Sequence, residues 1–84
     1  MRGITKTPGV CGGKACVEGT EIPVWIIELR RMRGYYTAEI VEMYPSLTPE
    51  QVRIAYRYAR AHWQEINQAI EGFEKWQSER EEGS

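Results

Sequence analysis

Three arginines carry the most pointed chemistry in this chain. Arg53, Arg57 and Arg60 stand at i, i+4 and i+7, which places them on one face if the segment is helical. A guanidinium presents a planar fork of N–H donors to a phosphate or to the O6/N7 edge of a guanine. A strip of three suits a helix laid in a major groove. The same strip also serves as the wet edge of a mostly buried helix, because arginine stems cover apolar neighbours well. At 100° per residue, Val52, Ile54, Ala55, Tyr56, Tyr58, Ala59 and Ala61 take nearly all other directions. Catalytic chemistry is poorly served. His62 is the sole histidine and falls among apolar positions, which reads as a core histidine. Cys11 and Cys16 are the two cysteines, too few for a zinc site with one histidine. They read as free thiols serving as small buried filler rather than as metal ligands. No phosphate-binding glycine loop, nucleophile elbow or zinc spacing is present. The reading is therefore of a non-enzyme with no cofactor, no metal and no small-molecule substrate.

The element that positions the arginines begins at Leu47-Thr48-Pro49-Glu50-Gln51-Val52. Thr48 is an N-cap residue, and Pro49 sits at N1, where its missing N–H costs nothing. Gln51 can close a capping box with Thr48, and Leu47 can staple onto Val52. Just upstream, Thr37 is read as the cap of a short helix over residues 38–44, with Glu39 in its first turn and Ile40, Val41 and Tyr44 facing the core. Pro45 breaks that helix by pushing Tyr44 out of the helical region. Pro23 opens an earlier helix over residues 23–33, with Trp25, Leu29 and Met32 as its apolar stripe. Arg30, Arg31 and Arg33 crowd its last turn. They complement the helix dipole or bind a partner. Gly34 closes it as a left-handed cap.

From Val52 onward an apolar seam recurs at 4-3 spacing through Tyr56, Ala59, Trp63, Ile66, Ile70 and Phe73. A single helix over residues 49–76, at ~1.5 Å per residue, would be about 42 Å long, longer than so small a domain is wide. Its second half is expected to project. Trp63, Ile66, Ile70, Phe73 and Trp76 would then form an exposed apolar patch for a protein partner. The alternative is a break near Gly72 with the chain folding back.

Residues 1–22 form an arm rich in turn chemistry. Val10-Cys11 and Ala15-Cys16-Val17 flank Gly12-Gly13, a pattern that predicts a β-hairpin. A lone hairpin is marginal in water, so it must pack on the helices or pair with a second chain.

Eighty-four residues make one small domain, here residues 1–77, with residues 78–84 a polar frayed tail. No apolar run approaches the ~20 residues of a bilayer span. The start lacks the charged and apolar regions of a signal peptide. The expectation is a cytoplasmic protein with no membrane association. The net charge of −1 hides a basic front (residues 1–36, +3) and an acidic end (residues 71–84, −3), a split that can meet partners of opposite sign. The sequence pI of 5.8 is low for a strong DNA binder.

Two segments resemble signatures of the bacterial domain of unknown function 433 family. One runs from Thr7-Pro8-Gly9-Val10-Cys11-Gly12-Gly13-Lys14 through Ala15-Cys16-Val17-Glu18-Gly19-Thr20-Glu21-Ile22-Pro23-Val24. The other comprises Gly34 and then Tyr44-Pro45-Ser46-Leu47-Thr48-Pro49-Glu50-Gln51-Val52. The likeness covers residues 4–67. It implies a small helix-turn-helix-like fold with an N-terminal hairpin. It also implies an antitoxin, of the VapB type, that silences a PIN-like toxin nuclease and binds its own promoter as a homodimer. Glu18 and Glu21 stand where the family usually carries arginine. They either remove two phosphate contacts or pair at the surface with Lys14 or Arg30. The combined expectation is a mainly α protein: an N-terminal β-hairpin, then a three-helix helix-turn-helix-like domain with a long C-terminal helix. Three functional readings follow: an antitoxin with a toxin nuclease partner, a stand-alone dimeric regulator of double-stranded DNA, and a homodimerisation module without DNA.

Overall fold

The computed structural model describes residues 2–82. Two short strands, β1 (Ile4–Thr5) and β2 (Cys16–Val17), are followed by four helices: α1 (Val24–Met32), α2 (Thr37–Met43), α3 (Pro49–Ala61) and α4 (Trp63–Glu82). The strands pair antiparallel, Ile4 opposite Val17 and Thr5 opposite Cys16. The architecture is mainly helical behind an N-terminal hairpin, as the sequence predicts.

The hairpin's first strand is not where the turn residues point. Cys11, Gly12 and Gly13 all have positive φ (53°, 64° and 80°), a left-handed run that cannot continue as a strand. Residues 11–13 instead form a 3-10 turn, closed by Gly13 N–H to Val10 O (2.9 Å) and Lys14 N–H to Cys11 O (3.1 Å). The pairing strand lies further upstream at Ile4–Thr5. So short a ladder is stable because its side chains are core: Ile4, Ala15, Cys16 and Val17 are all buried.

Pro23 is the N-cap of α1 rather than its first helical residue. The buried stripe of α1 is Val24, Ile27, Glu28 and Leu29, rotated from the expected one. Trp25 is half-buried against the core and Met32 is 50% exposed. The rotation is possible because Arg31 neutralises the buried Glu28. α1 ends as expected at Gly34 (φ +93°). Tyr35 N–H bonds back to Arg30 O and Gly34 N–H to Arg31 O, the paired bonds of a Schellman motif. α2 begins at Thr37, with Glu39 accepting from the Tyr36 N–H at 2.9 Å, and buries Ile40 completely.

α3 starts as its sequence dictates. The Thr48 hydroxyl accepts from Gln51 N–H (3.2 Å), and the Gln51 side-chain Oε1 accepts from Thr48 N–H (2.8 Å). Leu47 and Val52 are both buried in the one core. The helix then stops at His62 (φ −128°, ψ 47°), ten residues before Gly72. α4 folds back against α1, where the Trp25 and Phe73 rings lie 5.3 Å apart. The single rod over residues 49–76 is therefore not formed. Magnitudes explain why. A straight rod would expose Ile66, Ile70 and Phe73, and burying one such side chain gains about 1.5–3 kcal/mol. Interrupting the helix gives up one or two backbone bonds, each worth a net ~0.5–1.5 kcal/mol. Ile66 and Ile70 end 2% and 1% exposed. His62 is exposed at the corner, stacked on Tyr58 with ring centroids 4.2 Å apart, not a core histidine.

The expected frayed tail also differs, since α4 runs through Glu82. Residues 83 and 84 lie outside the described residues. No helix among the described residues is long and apolar enough to cross a membrane.

Candidate functional site

Arg53, Arg57 and Arg60 are all exposed on α3. The capping box fixes where α3 starts and so which face they occupy. The core residues Val52, Ala55, Tyr58 and Ala59 hold the opposite side. Arg53 pairs with Glu50 at 3.2 Å, both side chains more than half exposed, a bond worth little in water. Arg57 has no ion-pair partner among the described residues. Glu50 is the one carboxylate of α3, so the strip is net positive.

Arg60 joins a second cation. A recess of about 290 Å³ is lined by Arg60, Arg31, Tyr56, Trp63 and Glu28. Its floor is the Glu28–Arg31 pair. Arg31 Nε donates to one Glu28 oxygen at 2.8 Å and its terminal nitrogen donates to the other. The Glu28 side chain is 5% exposed and that of Arg31 50%. The hydrogen bonds that Arg31 donates to Glu28 raise the Arg31 pKa further, so the guanidinium stays charged and oriented. This pair is absent from the sequence reading. Its trace is the i, i+3 spacing of Glu28 and Arg31 inside an otherwise apolar turn.

The seam expected to grip a partner is split by the corner at His62. Ile66 and Ile70 are core residues and offer no surface. Trp63, 43% exposed, sits with the arginines. Phe73 and Trp76 lie on another face, along a groove shared with Trp25. Phe73 is 6.1 Å from Trp76, and the Arg80 guanidinium lies 4.9 Å over the Trp76 ring. Gly72 lies in this groove, and beyond the backbone of its own helix and its chain neighbours nothing lies within 4 Å of where a Cβ would be. A helical glycine costs about 1 kcal/mol against alanine.

A polar cluster braces the α3–α4 corner. Tyr58 OH reaches both Glu65 carboxylate oxygens (3.0 and 3.1 Å), and Lys6 Nζ is 2.9 Å from the same carboxylate. Burial, then the Glu65 carboxylate, pushes the Tyr58 phenol pKa up. The bond to Glu65 raises that of Lys6. The cysteines are free thiols. The Cys11 thiol donates to Glu21 O at 3.2 Å. Burial and the neighbouring Cys16 push its pKa to about 11, so it is neutral at pH 7 and a poor nucleophile. Glu18 and Glu21 are exposed and take part in none of the ion pairs among the described residues, so pairing with Lys14 or Arg30 is not formed.

The fold and its exposed strip define a small helical domain in which a short helix, a capped turn and a basic helix follow in order. The chain matches the model of the family described as protein of unknown function (DUF433) over residues 4–59, and it belongs to that family. It is similar to the crystal structure of a DUF433 member from Anabaena variabilis. That likeness has a TM-score of 0.77 and 38% identity, and covers 81% of this chain and 67% of that one. An uncharacterised protein of Sinorhizobium fredii is 34% identical over 59 residues, 70% of this chain. The matched region is 27% of that relative's length.

Proposed function

We propose that this protein is a DNA-binding regulator of the antitoxin type, acting in the cytoplasm by binding rather than by catalysis. The observation that carries the reading is the exposed, net-positive strip Arg53, Arg57 and Arg60 on a helix whose start is set by a capped turn. In this reading α3 enters the major groove and α2 lies across the backbone. Arg60 also lines the recess beside the Glu28–Arg31 pair, whose own charges cancel. The test is a gel-shift on the promoter of the protein's own operon at low salt. Replacing Arg53, Arg57 and Arg60 together by glutamine should abolish the shift. Arg57→Gln alone should flatten the log–log salt dependence by about 0.9 if it neutralises one phosphate. No retardation of the unaltered protein at low salt sinks the reading.

A second reading keeps a toxin nuclease as partner. Its support is the exposed acidic face of α4, where Glu71 and Glu74 stand in solvent, together with Trp63. In this reading the acidic face answers a basic RNA-binding surface. Pull-down of the tagged protein with and without nuclease treatment tests it. A stoichiometric nuclease-sized protein retained in both samples is the expected outcome, and recovery of the bait alone refutes it.

A further inference from the structure

We propose that the groove along α4 is the seat of a second copy of this chain, bound antiparallel about a two-fold axis between Ala69 and Gly72. The inference does not depend on DNA or toxin binding. The groove holds both a projection and a recess on one face. Trp76, 52% exposed, projects at one end. At the other end lies an open recess of about 270 Å³ between Trp25 and the α4 residues Glu65, Ile66 and Ala69. A cavity of ~150 Å³ admits a benzene, so this one has room for an indole. A two-fold axis between Ala69 and Gly72 sets Trp76 of one copy opposite Glu65 of the other, at the edge of the recess that Glu65 lines. The insertion is reciprocal, which is the property an isologous interface requires.

Two independent features fit the same axis. Ala69 and Gly72 meet at the crossing, and small residues there let two helix backbones approach closely. The open space over Gly72 is the room such an approach uses. Charges also match. The antiparallel register brings Lys75 beside the partner's Glu65, and Glu79 toward the partner's Lys6 and Lys14. Lys14 lines the recess that Trp76 would fill. A protruding tryptophan seated in a partner pocket is the usual form of an interface hot spot. The outer face of α4 carrying Glu71 and Glu74 stays free in this arrangement.

The experiment uses the full chain. Sedimentation over a wide concentration range should give a monomer–dimer equilibrium. A zero-length carbodiimide reagent, applied to a mixture of isotopically light and heavy chains, should join Glu65 to Lys75 across mixed-label pairs. Within one helix those residues are about 15 Å apart, out of reach of such a bond. The Lys6–Glu65 pair at 2.9 Å serves as the intrachain control. Gly72→Leu fills the crossing while improving helix propensity. It and Trp76→Ala should each raise the dimer Kd about thirtyfold or more, with the far-ultraviolet helical signal of Gly72→Leu undiminished. A monomer at every concentration overturns the proposal. So does a dimer that neither substitution weakens.

Discussion

The corner between α2 and α3 and the corner between α3 and α4 turn the chain by different means. At the first, every instruction is local: Pro45 stops one helix, and Thr48, Pro49 and Gln51 start the next within a few residues. At the second there is neither proline nor glycine. His62 leaves the helical region because the chain beyond it gains more by folding back. The turn is held from a distance, by Tyr58 on Glu65, by Lys6 on the same carboxylate, and by Ile66 and Ile70 in the core. A corner written locally is robust to changes elsewhere, whereas one made by tertiary contacts depends on each of its distant partners.

The sharpest way to break this contrast is Ile70→Asp. A carboxylate at a site 1% exposed has no partner there. The substitution should cost about 4 kcal/mol or more, seen as a collapse of the urea midpoint. A stable variant would mean α4 is not docked. Tyr58→Phe is milder. It removes a hydrogen bond to a charged acceptor, worth roughly 1.5–3 kcal/mol and less here because Glu65 is partly wet. The same cluster has a pH signature. Tyr58 and Lys6 both have folded pKa values above the ordinary ones of their side chains. Their contribution is complete below about pH 10 and is lost as pH rises through the folded values. Alkaline titration of the unfolding midpoint should show the decline in the unaltered protein and a shallower one in Tyr58→Phe. Thr48→Ala should have the smallest effect, about 1 kcal/mol, because one cap among several local signals is lost. If Thr48→Ala proved more damaging than Tyr58→Phe, the contrast between the corners would be reversed.

The same distinction governs what the residues disclose in advance. The capping box, the Gly34 stop, the burial of Ile40 and the exposure of Arg53, Arg57 and Arg60 follow from neighbours within one or two turns. The 4-3 seam through Trp63, Ile66, Ile70 and Phe73 is equally regular, yet periodicity cannot say whether a stripe meets its own domain or another molecule. The break at His62 puts Ile66 and Ile70 in the core and divides the other three residues of the expected partner patch, Trp63, Phe73 and Trp76, between faces. The hairpin misleads for a related reason. Gly12-Gly13 does mark a turn, but the left-handed run from Cys11 to Gly13 removes the adjacent strand, and the true partner at Ile4–Thr5 is chosen by packing. Glu28 is the least legible residue. A charged side chain in an apolar turn gives no sign of burial until Arg31 is seen beside it.

That pair has a consequence for how the chain can change over generations. Glu28 and Arg31 form a unit of inheritance: loss of the arginine strands a desolvated carboxylate, while loss of the carboxylate frees a guanidinium from its anchor. A well-packed apolar replacement of both is tolerable in energy, but each single step toward it passes through a poorer protein. Drift at these two positions is therefore expected to be concerted, or not to occur.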